Sequence, residues 1–123
     1  VPSLLSMPYL GYCKKEDTLY QHTRSFILSH HNPYYYQGTC ASGIGSPHTP
    51  KNYIWHIALS MQGLTGTKEE AKKMINLILE TSNNEGLCHE EFNKDEPSEY
   101  TRSWFAWANS LFAELVYQTY FVK

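Results

Sequence analysis

The sequence predicts an all-α fold. Apolar residues recur at helical spacing in four stretches, and connections carrying proline or glycine separate those stretches. No run alternates apolar and polar residues long enough to read as a strand. Short helix connections of this kind favour antiparallel hairpins stacked side by side.

The opening segment, Val1 to Tyr12, is apolar, but it holds two prolines and a glycine, and Pro8 would break a long helix. So apolar a segment is expected to pack on other structure. The first helix is predicted over about residues 17–29, where Leu19, Tyr20, Thr23, Phe26 and Ile27 follow helical spacing. His30-His31-Asn32-Pro33 ends it, because the residue before a proline is pushed out of the helical region. A loop is expected over about residues 32–50, and loops of that length are usually functional. The second helix is placed at about residues 51–64, with Ile54, Ile57, Ala58 and Met61 on one face. Thr67 and Glu70 form a capping-box pattern before the third helix, about residues 68–82, which turns Ala71, Met74, Ile75 and Ile78 inward. Asn83-Asn84-Glu85-Gly86 reads as a turn. The fourth helix is expected from residue 98 or 101 to about 120, with Trp104, Ala108, Leu111, Phe112 and Leu115 as its apolar stripe.

At 123 residues the chain is long enough for one small hydrophobic core. The formal net charge of −2 comes without a basic stripe, which removes the electrostatic footprint of nucleic-acid binding and of anionic membranes. No apolar run approaches a bilayer span. Three widely spaced cysteines suit neither a zinc ribbon nor a disulfide framework, so a reducing, cytoplasmic compartment is favoured. The first residues lack a signal-peptide pattern, but a start at Val1 reads as a processed form or a fragment.

The chemistry concentrates at Gly86-Leu87-Cys88-His89-Glu90-Glu91-Phe92 and the aromatic stretch Arg102-Ser103-Trp104-Phe105-Ala106-Trp107. A carboxylate between an apolar approach and a phenylalanine can act as acid or base, and the apolar faces of sugar rings stack on neighbouring aromatics. Taken alone, Glu90-Glu91 reads more readily as a solvated surface pair, the flanking Leu87, Cys88, His89 and Phe92 favour one being drawn inward, and loop geometry leaves open which. His89 could donate a hydrogen bond to the inward carboxylate, and Arg102 could pair with either glutamate. The default for Trp104 and Trp107 is core packing. Gly43-Ile44-Gly45-Ser46 lacks the lysine of a phosphate loop and reads as a turn presenting Ser46 and His48. The six histidines show no metal-ligand spacing, and neither metal nor cofactor is expected.

Longer strings carry a resemblance. Pro8-Tyr9-Leu10-Gly11-Tyr12, Asn32-Pro33-Tyr34-Tyr35-Tyr36 and Gly43-Ile44-Gly45-Ser46-Pro47-His48-Thr49-Pro50 are similar to glycoside hydrolase family 125. So are Tyr53 through Leu64, the pair His89-Glu90, and Tyr100-Thr101-Arg102-Ser103-Trp104-Phe105-Ala106-Trp107-Ala108-Asn109-Ser110-Leu111-Phe112. The resemblance implies a metal-independent, inverting exo-α-1,6-mannosidase with an (α/α)6-barrel fold, acting on terminal mannose of N-glycan-type oligosaccharides. It further implies that residues 1–123 are the C-terminal part of a longer catalytic domain, with an N-terminal barrel half required as partner. By that resemblance Glu90 is the general base, and the general acid is an aspartate with no counterpart here. His48, His89, Arg102 and Trp104 are then candidates for shaping the mannose subsite. Glu91 departs from the family pattern, which has a small residue there. The alternative expectation is a non-catalytic carbohydrate-binding or helical interaction module, which turnover of a mannoside would exclude.

Overall fold

The computed structural model describes residues 3–83 and 86–122. Among them are four α-helices, a 3-10 turn at Leu4–Ser6 and five strands in two small antiparallel sheets. The fold is therefore mixed α/β, which corrects the all-α expectation and its picture of stacked barrel hairpins. Every strand is two or three residues long. Alternation cannot be read over so short a run. Partners far along the chain decide these strands.

The helices hold where the pattern was strongest. Helix α1, Thr18–Ile27, starts where Asp17 accepts the Tyr20 N–H at 2.9 Å. Helix α3, Lys68–Thr81, starts at Thr67, which accepts the Glu70 N–H at 3.2 Å. Only that half of the capping box forms. The Glu70 carboxylate instead receives Arg24 Nη2 at 2.8 Å and Gln62 Nε2 at 3.0 Å, tying α1 to the neighbouring helices. Ala71, Met74, Ile75 and Ile78 are buried, as the helical spacing predicts.

The two remaining helices begin later than expected. Asn52 takes φ 73°, a left-handed turn that asparagine tolerates and that no helix continues through. Beyond it, Tyr53–Trp55 pairs as strand β3, and helix α2 runs from His56 to Thr65. Similarly, Tyr100–Thr101 is a strand, Arg102 turns the chain at φ 49°, and helix α4 spans Ala106–Tyr120. The turn expected at 83–86 falls partly on residues 84 and 85, outside the described residues; Asn83 and Gly86 flank them with φ 58° and 70°.

Within the long loop, β1 (Tyr35–Gln37) and β2 (Ser42–Ile44) make a hairpin. Gly43 lets it approach α2, since a Cβ there would lie 2.8 Å from both Ile54 Cγ2 and Leu59 Cδ2. The second sheet has β4 (Glu91–Asn93) between β3 and β5 (Tyr100–Thr101), with Trp55, Glu91 and Thr101 in register. Helix α2 packs against α3 and α4, and Ile54, Leu59, Ile78, Phe92 and Leu115 form the fully buried centre.

The N-terminal segment is docked only in part. Leu5 is buried under the equally buried Tyr20, whose hydroxyl donates to the Leu5 carbonyl at 2.7 Å. Leu10, Tyr12, Leu19 and Phe26 stay exposed. No helix among the described residues is long and apolar enough to cross a membrane.

Candidate active site

The Cys88–Glu91 segment is held from several sides. Asn109 on α4 accepts the Cys88 N–H at 2.8 Å, and the Cys88 carbonyl accepts the Phe105 N–H at 2.9 Å. The His89 N–H reaches His56 Nδ1 at 2.9 Å. From Glu91 onward, β3 and β5 clamp the strand on both edges. This satisfies the backbone of a segment that would otherwise be a costly buried loop.

The two glutamates separate in this frame. Glu90, one residue before β4, keeps a fifth of its side chain exposed. Its Oε1 accepts the Thr101 hydroxyl at 3.1 Å and lies 3.4 Å from Arg102 Nε. Arg102 reaches Glu90 because its left-handed backbone turns the chain back at the end of β5. Its guanidinium lies 5.7 Å from the Phe105 ring centroid, a cation–π approach.

Glu91 is the inward glutamate, with no accessible surface, and neither carboxylate oxygen has a hydrogen-bond partner among the described residues. Burial raises its pKa above the ordinary carboxylate range, and the nearby Glu90 adds to the rise. Thr49, Thr101 and the Trp55 indole lie close enough to offset part of that. However, the indole donates to Thr49 Oγ1 at 3.1 Å and the Thr101 hydroxyl to Glu90, so neither is aimed at Glu91.

The other expected site residues fall in different places. His89 is fully buried, its ring stacked 3.8 Å from Tyr100 and 5.4 Å from His56. Its Nδ1 faces the Ser103 carbonyl at 2.9 Å, which can only accept, so Nδ1 carries the proton. That donor is therefore not directed at the inward carboxylate, Glu91, contrary to expectation. Trp104 is exposed and lies outside α4, so it belongs to no core stripe; Trp107 is more exposed still. Trp55, Phe105 and Trp107 form a row of rings, with centroid separations of 6.4 Å and 5.4 Å. His48 is exposed and lines a cleft of about 270 Å³ with Tyr34, Ser46, Trp55 and Met61. No hydrogen bond joins it to Glu90 among the described residues.

Sequence reasoning missed Thr101, which bonds Glu90, and Trp55, which borders both Glu91 and the cleft. Both lie inside quoted motifs, but only strand pairing brings them beside the glutamates. It also passed over Asn109 and His56, whose roles depend on chain segments far away. Among the described residues, no three His, Cys, Asp or Glu side chains converge as metal ligands would.

The segment thus presents a part-exposed carboxylate held by a threonine and an arginine, the arginine lying over one of a row of aromatic rings. Residues 1–117 match the family described as metal-independent α-mannosidase, GH125. The chain belongs to that family. It is 52% identical to a solved Streptococcus pneumoniae structure, described as a metal-independent α-mannosidase in a non-productive complex with α-1,6-mannobiose. The two superpose with a TM-score of 0.94 over 97% of this chain and 28% of that one. A second relative, the meiotically up-regulated gene 157 protein of Schizosaccharomyces pombe, is 43% identical over 118 residues, 94% of this chain and 23% of that protein. The chain thus spans about a quarter of the length of these relatives.

Proposed function

We propose that this chain supplies the base side of an α-mannosidase active site that removes non-reducing terminal α-1,6-linked mannose from N-glycan-type oligosaccharides, with inversion. The observation that carries the reading is Glu90. It is the one of the two glutamates that is open to solvent, and its Oε1 is oriented by Thr101 and Arg102. In an inverting glycosidase one carboxylate activates water while a carboxylic acid about 6.5–9.5 Å away, on the other face of the sugar, protonates the leaving oxygen. Adjacent Glu91 is enclosed and cannot serve that opposite face. By the family resemblance the acid is an aspartate in polypeptide outside these 123 residues, in keeping with the greater length of the relatives. On this reading residues 1–123 are one part of the catalytic domain and act together with the remainder.

Arg102, beside Glu90, and the exposed Trp104, two residues further on, are the sugar-contacting candidates of this set, one for hydroxyls and one for a ring face. His48 borders the neighbouring cleft. His89 acts from behind, as support for Glu90, because its ring is enclosed.

The test uses the full polypeptide carrying this chain and α-1,6-mannobiose. Glu90→Gln should lower kcat by roughly 1,000-fold or more while the protein stays folded, since the base function is lost. Proton NMR of the wild-type reaction should show β-mannose as the first anomer released. Near-normal turnover by Glu90→Gln, or retention of the α-anomer, would refute the assignment. Saturable mannobiose binding without any turnover would point to a carbohydrate-binding module.

A further inference from the structure

His56 is a buried histidine that the proposed chemistry does not use. It is the first residue of α2 and has no accessible surface, yet every polar atom of its ring is satisfied. Nδ1 receives the His89 peptide N–H at 2.9 Å and so must be the unprotonated nitrogen. The proton then sits on Nε2, 2.8 Å from Thr81 Oγ1, and the Thr81 hydroxyl donates onward to the Leu77 carbonyl at 2.8 Å. The chain of donors closes on the last turn of α3.

Ring packing fixes the same orientation. His56 lies between the His89 ring, at 5.4 Å and 21°, and the Phe92 ring, at 4.7 Å and 37°. These two residues bracket Glu90 and Glu91. Burial first, and the neighbouring His89 second, push the His56 pKa down to about 3, so the ring stays neutral and its Nδ1 lone pair remains available.

We infer that His56 is a positioning residue for Glu90, fixing the Cys88–His89 peptide one residue before the Glu90 backbone. The inference rests on the reading of Glu90 as the base. A general base must hold its water within hydrogen-bond reach, and a misplacement of about 1 Å can cost roughly 100-fold in rate. Thr101 and Arg102 set the end of the Glu90 side chain, while His56 holds the backbone one residue before it.

Two substitutions separate this role from simple packing. Asparagine places Oδ1 where His56 Nδ1 now accepts, so His56→Asn keeps the bond to His89 and loses the one to Thr81. His56→Gln reaches toward Thr81 and loses the acceptor for His89. In the full polypeptide, His56→Gln should lower kcat on α-1,6-mannobiose by roughly 10- to 100-fold with KM within about threefold, and His56→Asn should keep kcat within about threefold of wild type. Hydrogen exchange at the His89 amide should speed up in the Gln variant alone.

Equal losses in both variants, following their melting temperatures, would overturn the inference, as would wild-type turnover in His56→Gln. If both variants misfold, nitrogen-15 NMR of the wild-type protein still decides. His56 Nδ1 should report as unprotonated from about pH 5 to pH 8, where an ordinary histidine titrates, and a protonated Nδ1 would overturn the inference. Glu90→Gln run alongside keeps the two assignments apart. If it stays active, both the base and its positioning fall. If it is inactive while His56→Gln is not, only the positioning falls.

Discussion

Replacing Glu91 with glutamine should stabilise the protein at neutral pH. Both carboxylate oxygens of Glu91 are buried without a donor, while the Thr49 hydroxyl donates to the Ser46 carbonyl, the Trp55 indole to Thr49 and the Thr101 hydroxyl to Glu90. Glutamine keeps the shape and the same number of buried polar atoms but carries no charge. The difference between the two proteins therefore isolates the cost of ionisation. A buried unsatisfied polar group costs about 1–3 kcal/mol, and a charged one more. Glu91 is fully enclosed and burial raises its pKa, and the expected gain of Glu91→Gln is about 1–3 kcal/mol near pH 7.5.

The sign with pH follows from linkage. The folded pKa lies above the unfolded one, so the native state binds the Glu91 proton more tightly. Below the unfolded value both states are protonated and the wild-type protein carries no penalty. As pH rises through the folded value, that stability is lost. Denaturant midpoints measured on both proteins should therefore converge near about pH 4 and separate toward neutral pH, with glutamine higher. A variant less stable than wild type at pH 7.5, or a difference that does not change with pH, would refute the account and show a partnered Glu91 carboxylate.

Gly63→Ala should lower the melting temperature although alanine is the better helix former. The new Cβ would lie 2.8 Å from Leu115 Cδ1 and 3.3 Å from Ala71 Cα, and Leu115 is fully enclosed. An overpacking cost of about 1–3 kcal/mol outweighs a propensity gain of about 1 kcal/mol; a raised melting temperature would contradict this. Thiol titration of the native protein should modify Cys40, which is exposed, and leave Cys88, which is buried with its pKa pushed up to about 12. Rapid labelling of Cys88 in the folded state would show that the strap before Glu90 opens.

Helix α3 was legible because its evidence is local. Fourteen residues carry an unbroken 3.6-residue pattern behind a threonine cap, and burial follows that pattern. The sheet was not legible for the opposite reason. Tyr53–Trp55 pairs with Glu91–Asn93, nearly forty positions downstream, and three residues cannot display a period of two. Reading 53–55 and 100–101 as helix followed from extending the helical spacing of α2 and α4 backward, and it moved Trp104 wrongly into a helical stripe. The long loop showed its glycines and tyrosines but hid the hairpin within it, since Gly43 is required by contact with Ile54 and Leu59 and not by a local turn.

By itself the sequence determined the family, the absence of a basic footprint, the strongest helices and the neighbourhood of the chemistry. Those properties reside in residue identities and short spacings. Which glutamate faces solvent was decided only in three dimensions. Pairing of β4 on both edges, with β3 and β5, encloses Glu91 and Phe92 alike. Glu90 sits just before that strand, where Thr101 and Arg102 can reach it. His56, Thr81 and Asn109 join the site for the same reason: cross-chain hydrogen bonds satisfy a buried backbone, and no local pattern records them.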